Sequence, residues 1–219
     1  MIFVNYKTYE EGTGQKALAL TKILEDVART SQVKIIPVVQ TIDAEKIISS
    51  VTLPVWIQHV DPVSYGAHTG WTLPEEVAKI GVSGVFLNHS EHKFNDFEAL
   101  RTANEKALSA NLKTLIFAGG LDELKQICKF KPTFVAYEPP ELVGSTTTSV
   151  AEAYPEVISQ AVEVTRNEGL PLIVGAGIHT REDVKKSLEL GAVGVAVATD
   201  IVRAVDPRKE LMDLVEGFK

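Results

Sequence analysis

The sequence predicts an α/β protein: a closed (β/α)8 barrel of eight parallel strands ringed by helices, in a single domain over residues 1–219. Three observations carry this. Apolar runs of four to seven residues recur with a regular beat, and most lack polar alternation, as strands buried on both faces do. Segments of helical spacing separate them. No linker, low-complexity tract or shift in composition interrupts the chain. Eight βα units in one unbroken chain fit a closed barrel better than the competing open, doubly wound sheet.

The elements follow in order. IFVNYK (2–7) reads as the first strand, and residues 14–29 as a helix on Leu18, Leu20, Ile23, Leu24 and Val27. KIIPVVQ (34–40), PVWIQHV (54–60) and GVFLNH (84–89) are the next strands. Asp96 can cap a helix through Phe97, Leu100 and Leu108. KTLIFA (113–118) and TFVAYE (133–138) follow. Proline has a fixed φ and no N–H, so a central strand cannot run through Pro139–Pro140, and Glu138 stands at a strand's C-terminal end. Residues 139–153 have no helical period and are rich in Gly, Ser and Thr; they read as a mobile lid behind a stiff hinge. Pro155 opens a helix that stops near Gly169. PLIVGAG (171–177) precedes a helix with a capping box at Thr180, ending before Gly191. GVAVAT (194–199) is the last strand, and Pro207 opens the last helix.

Bulk properties exclude several functions. With 22 basic and 29 acidic residues the formal charge is -7, which argues against a nucleic-acid surface. No apolar stretch approaches the ~20 residues of a membrane helix, and MIFVNYK is too short and polar for a secretion signal. One cysteine, Cys128, allows no intrachain disulfide; it reads as an apolar filler on a helix, and a cytoplasmic, reducing location fits.

In a barrel the chemistry belongs at the C-terminal ends of the strands. There stand Asn5 and Lys7, pointed to the same side by alternation. His89 stands there too, with Ser90 and the residues after it expected to start a helical turn. The N–H groups and positive end of that turn would keep the imidazole neutral. Strand six supplies Glu138. Strand seven ends in Gly175-Ala176-Gly177-Ile178 and strand eight in Ala198-Thr199-Asp200, small residues suited to a phosphate site. Asp200 is expected to cap a short turn over 201–205, folding its carboxylate away from that site. His59, His68, His89, His92 and His179 show no metal-ligand spacing, so no metal or other cofactor is expected. One carboxylate and one neutral imidazole are the equipment for proton transfer beside a carbonyl.

Six stretches, FVNYKTY (3–9), QHVDPVSYGAHTG (58–70), LNHSE (87–91), YEPPELVG (137–144), GAGI (175–178) and DVKKSLELGAVGVAVA (183–198), make the chain resemble the triosephosphate isomerases, compact archaeal-type branch. The resemblance spans nearly the whole chain in family order. It implies a TIM barrel that interconverts dihydroxyacetone phosphate and D-glyceraldehyde 3-phosphate through an enediolate, in glycolysis and gluconeogenesis. Glu138 would be the base, neutral His89 the hydrogen-bond donor and Lys7 the fixed positive charge, with Asn5 positioning the substrate. Phosphate would meet backbone N–H groups at Val143, Gly144, Gly177, Ala198 and Thr199. The Gly66–Gly70 loop (GAHTG) would plug into a second copy, as a dimer or a tetramer. The chain departs from the family's pattern at Ser145 and Thr146, where Gly-Thr-Gly becomes Gly-Ser-Thr, and at Asp200, where many relatives have glycine. The rivals are another phosphate-binding barrel isomerase, such as a sugar-phosphate epimerase, and a barrel that binds without catalysing.

Overall fold

A computed structural model describes residues 1–138 and 155–219. The eight apolar runs form eight parallel strands: β1 (Ile2–Asn5), β2 (Ile35–Val39), β3 (Trp56–Ile57), β4 (Gly84–Leu87), β5 (Lys113–Ala118), β6 (Phe134–Tyr137), β7 (Leu172–Val174) and β8 (Gly194–Val197). Each pairs with the next, and β8 pairs back onto β1, so the sheet closes. Every strand but β5, which spans its whole run, is shorter than its apolar run, because the last residues of those runs leave the ladder to build the rim.

Helices follow the strands as the spacing predicts. The first runs Gly14–Ser31, and Asp96 caps Phe97–Ser109 by accepting from the Ala99 N–H at 2.7 Å. Thr180 and Asp183 form the expected capping box. Pro155 and Pro207 occupy first helical positions. Cys128 is buried at the end of Leu121–Cys128.

Alternation splits the core in two. Val4, Val85, Ile116, Val135 and Val195 face the helices and pack on Leu20, Leu24, Leu124 and Val184. Phe3, Trp56, Phe86, Phe117, Ala136, Ile173 and Ala196 face inward and fill the barrel. The inner rings meet near edge-on, Phe3 with Trp56 at 5.0 Å and Phe86 with Phe117 at 4.8 Å between centroids. Gly84 makes room for this plug: a Cβ there would overlap the Trp56 ring.

One further step of the inward alternation reaches the mouth. Phe3 leads to Asn5, Trp56 to Gln58, Ala136 to Glu138, Ile173 to Gly175 and Ala196 to Ala198. On β4 the step from Phe86 lands on Asn88, which has φ 60° and points elsewhere. Its Nδ2 donates to the Phe117 carbonyl (3.0 Å) and to Glu123 Oε1 (2.9 Å). That left-handed residue turns the chain so that the next one, His89, enters the mouth.

Candidate active site

Glu138 follows directly on β6, its N–H donating to the Ala118 carbonyl at 2.9 Å. Its side chain is 10% exposed. Oε2 is buried with no hydrogen-bond partner among the described residues. Gly175, across on β7, accommodates the carboxylate: a Cβ on it would sit 2.5 Å from Glu138 Oε1. Burial disfavours the ionised form and pushes the carboxyl up to about 7; the Lys7 charge opposes this and Glu91 adds to it.

His89 Nε2 lies 3.5 Å from Glu138 Oε2. The residues after it form a single turn, with the His92 N–H on the His89 carbonyl at 2.8 Å, rather than the expected start of a helix. The expected donor is nevertheless present. The Glu91 N–H donates to Nδ1 at 3.2 Å, leaving that nitrogen bare and placing the proton on Nε2. Burial holds the imidazolium pKa down at about 4, with Glu91 opposing and Lys7 assisting. The ring also packs edge-on against Phe117 at 4.8 Å.

Lys7 sits at φ 48°, a left-handed conformation that costs a lysine backbone energy. Two amides hold it there. Asn5 Oδ1 accepts the Lys7 N–H at 3.0 Å, and Gln58 Nε2 donates to the Lys7 carbonyl at 2.8 Å and to Asn5 Oδ1 at 3.3 Å. The ammonium meets Glu91 Oε1 at 2.7 Å and stays largely covered. Glu91 thus holds both His89 and Lys7, one through its backbone and one through its carboxylate.

Lys7, His89 and Glu138 line one pocket with Asn5, Gly177, Ala198 and Thr199. Ala176 and Gly177 are both left-handed, at φ 68° and 64°. The Tyr9 hydroxyl and Thr199 Oγ1 are 3.0 Å apart. Val143, Gly144, Ser145 and Thr146, with the rest of the expected lid, lie outside the described residues.

Asp200 corrects the sequence reading. The turn starts earlier, at Thr199–Val202, with Ala198 in the cap position and no side-chain cap bond. Asp200 lies inside the turn, and its carboxylate is hydrogen-bonded to His179 Nδ1. Its own turn offered it no cap position, because capping requires a residue just outside the helix. Gln58, Gly175, Glu91 and His179 also belong to the site. The alternation that placed Asn5 also reaches Gln58 on β3. Contacts between strand ends distant in sequence fix the other three.

The family model for triosephosphate isomerase matches residues 1–217. The triosephosphate isomerase of Metallosphaera sedula is 40% identical over 218 residues, covering 99% of this chain and 95% of that protein. Those of Methanobacterium bryantii and Saccharolobus solfataricus are 39% and 38% identical; each covers 98% of this chain, and 95% and 94% of their own lengths are matched. The chain belongs to the triosephosphate isomerase family.

Proposed function

We propose that the chain interconverts dihydroxyacetone phosphate and D-glyceraldehyde 3-phosphate, in glycolysis and gluconeogenesis, by moving a proton between adjacent carbons. The observation that carries the mechanism is Glu138: a buried carboxylate pushed up to about 7, with a bare oxygen, 3.5 Å from a neutral imidazole. A base works best with its pKa near the working pH. Glu138 takes the proton from the carbon beside the carbonyl and returns it to the neighbouring carbon. His89, protonated on Nε2, donates a hydrogen bond to the oxygen that gains charge. A neutral donor serves here, the established partner of a glutamate base in this family. Lys7 supplies a fixed charge to the same oxygen. Asn5 acts through the Lys7 backbone it holds. The phosphate takes N–H groups at Gly177, Ala198 and Thr199, together with Val143 and Gly144.

Self-association runs through the Gly66–Gly70 loop. In its support, every residue from Ser64 to Trp71 is exposed, including Tyr65 at 60% and Trp71 at 53%. Exposed aromatics clustered on a loop are a usual mark of a contact surface. We place the protein in the cytoplasm, as the lone buried thiol suits a reducing compartment. No helix among the described residues is long and apolar enough to cross a membrane.

A coupled assay with glyceraldehyde 3-phosphate tests the reading. The chain should turn it over, and Glu138→Gln should lose roughly 10²–10⁴-fold in kcat while still binding inorganic phosphate. If the Gln variant kept even about a tenth of the rate, Glu138 would not be the base.

A further inference from the structure

His89 follows β4 and Glu138 follows β6, and β5 runs between those two strands. Leu87 pairs with Ile116 and Tyr137 with Ala118. One residue beyond those pairs stand Asn88, which sets the turn into His89, and Glu138 itself, so the end of β5 governs how imidazole and carboxylate meet. Glu123 reaches that end from the first turn of the Leu121–Cys128 helix, with its side chain 21% exposed. Its Oε1 accepts from Asn88 Nδ2 at 2.9 Å, and its Oε2 from the Gly119 N–H at 2.7 Å. Lys93 Nζ bridges the two oxygens at 3.0 and 3.1 Å. The residue before Gly119, Ala118, takes the Glu138 N–H on its carbonyl at 2.9 Å. These three groups facing Glu123 are all donors, which a carboxylate satisfies and an amide, carrying its own N–H groups, does not. A glutamate at this helical position often only caps its helix by bonding back to the backbone, and the Gly119 contact has that form. Capping does not account for the bond to Asn88, 35 positions away.

We propose that Glu123 is a positioning residue for the proton transfer: it clamps the β4 rim to the β5 rim and so sets the approach of His89 to Glu138, without touching substrate. Asn88 passes the constraint on. Its Nδ2 is shared between Glu123 and the Phe117 carbonyl, and its Oδ1 takes the Phe94 N–H at 3.3 Å, so the amide has one orientation and slack at Glu123 reaches His89 directly. Phe117 belongs to the same clamp, since its ring packs against the His89 imidazole. Lys93 neutralises the carboxylate and is not itself a tie between the two rims. The inference rests on the isomerase reading of this pocket.

The test compares wild type, E123Q, E123D and K93M in two measurements: kcat and KM on glyceraldehyde 3-phosphate, taken well below each unfolding midpoint, and the His89 Nε2 resonance in protein labelled with nitrogen-15 histidine. Gln caps a helix as Glu does but sets an NH2 group against a donor. Asp keeps the charge and shortens the reach. Both variants should lose roughly tenfold or more in kcat, because a small misplacement of a reacting group is costly. Their KM should stay within about twofold, since the phosphate cradle on β7 and β8 is untouched. The His89 resonance should move in both. K93M leaves the bonds to Asn88 and Gly119 in place and should keep kcat within about twofold. E123D decides the matter if Gln prevents folding. Wild-type kcat with an unmoved His89 resonance, or a change in KM in place of kcat, would reduce Glu123 to a helix cap. A K93M variant as impaired as E123Q would assign the effect to the ion pair and overturn the clamp. A wild type inactive on glyceraldehyde 3-phosphate, with the His89 resonance still moving in the Glu123 variants and not in K93M, would sink the isomerase reading and support the clamp.

Discussion

Inside the barrel, Phe134 and Ala136 of β6 lie among Phe3, Trp56 and Phe86, in a plug with no polar atom to satisfy other than the Trp56 indole N–H. Two residues on, Glu138 lies on the same inward side and is almost as buried, yet it is an acid whose Oε2 has no partner among the described residues. The plug is apolar surface removed from water, and burial stabilises it. Burial at the mouth costs stability, because an ionisable group is held where its charged form is poorly solvated. The same strands therefore carry a stabilising layer and a destabilising one, a single pleat apart. The backbone repeats the contrast. Among the described residues, left-handed non-glycine positions at strand ends are Lys7, Asn88 and Ala176, all at the mouth. Gln32, Asn111 and Lys131 share that conformation but follow helices, where it is an ordinary way to end one.

The sharpest break in the comparison is to hollow the plug. Trp56→Ala should cost about 3–5 kcal/mol of folding stability, the range for deleting a large buried aromatic. Below its lowered melting temperature it should keep kcat, since the mouth residues are held by their own hydrogen bonds. Denaturant unfolding and the coupled assay together check it. A variant as stable as wild type would mean that the plug is loosely packed.

Next in size is the opposite change at the mouth. A carboxyl raised from 4.5 to about 7 binds its proton more tightly when folded. Its contribution is therefore fully present below pH 4.5 and is lost as pH rises through 7. Glu138→Gln carries no such dependence. It should gain stability over wild type progressively between those values, approaching roughly 3 kcal/mol above pH 7. Unfolding midpoints measured across that range test it. A constant difference would show that Glu138 titrates alike in both states.

The smallest effect concerns the turn that brings His89 inward. Asn88→Ala removes three hydrogen bonds and leaves a Cβ residue at φ 60°, a loss of about 1–3 kcal/mol. The catalytic consequence should be larger in proportion, with kcat/KM down by roughly tenfold or more, because a small misplacement of a reacting group is costly. Wild-type kcat/KM in Asn88→Ala would show that His89 finds its place without that anchor.

Much of this was legible in the residues themselves. The eight apolar runs, the caps at Asp96 and Thr180 and the prolines opening helices are local signals, because side-chain period and cap chemistry act over a few residues. Lys7, His89 and Glu138 were legible as strand-end residues in a predicted barrel, where position in the fold directs attention to chemistry. Other features escaped a linear reading. His89 lies out of phase with the inward alternation of β4 and enters the mouth only because Asn88 adopts a left-handed turn. Asp200 has the chemistry of a cap, but His179, 21 positions away, claims its carboxylate. Gly175 reads as one more small residue until Glu138 is placed against it.

The sequence by itself determined the strand and helix order, the two-sided burial of the strands and which polar residues stand at their ends, since each depends on nearest neighbours along the chain. Only the tertiary structure decided what those residues are to one another: which amide holds Lys7, which nitrogen of His89 carries the proton, how far Glu138 is pushed toward neutral pH and which partner Asp200 takes. Hydrogen bonds and desolvation act over a few ångströms of space. Closing the barrel brings residues as distant in sequence as Tyr9 and Thr199 within that range of one another.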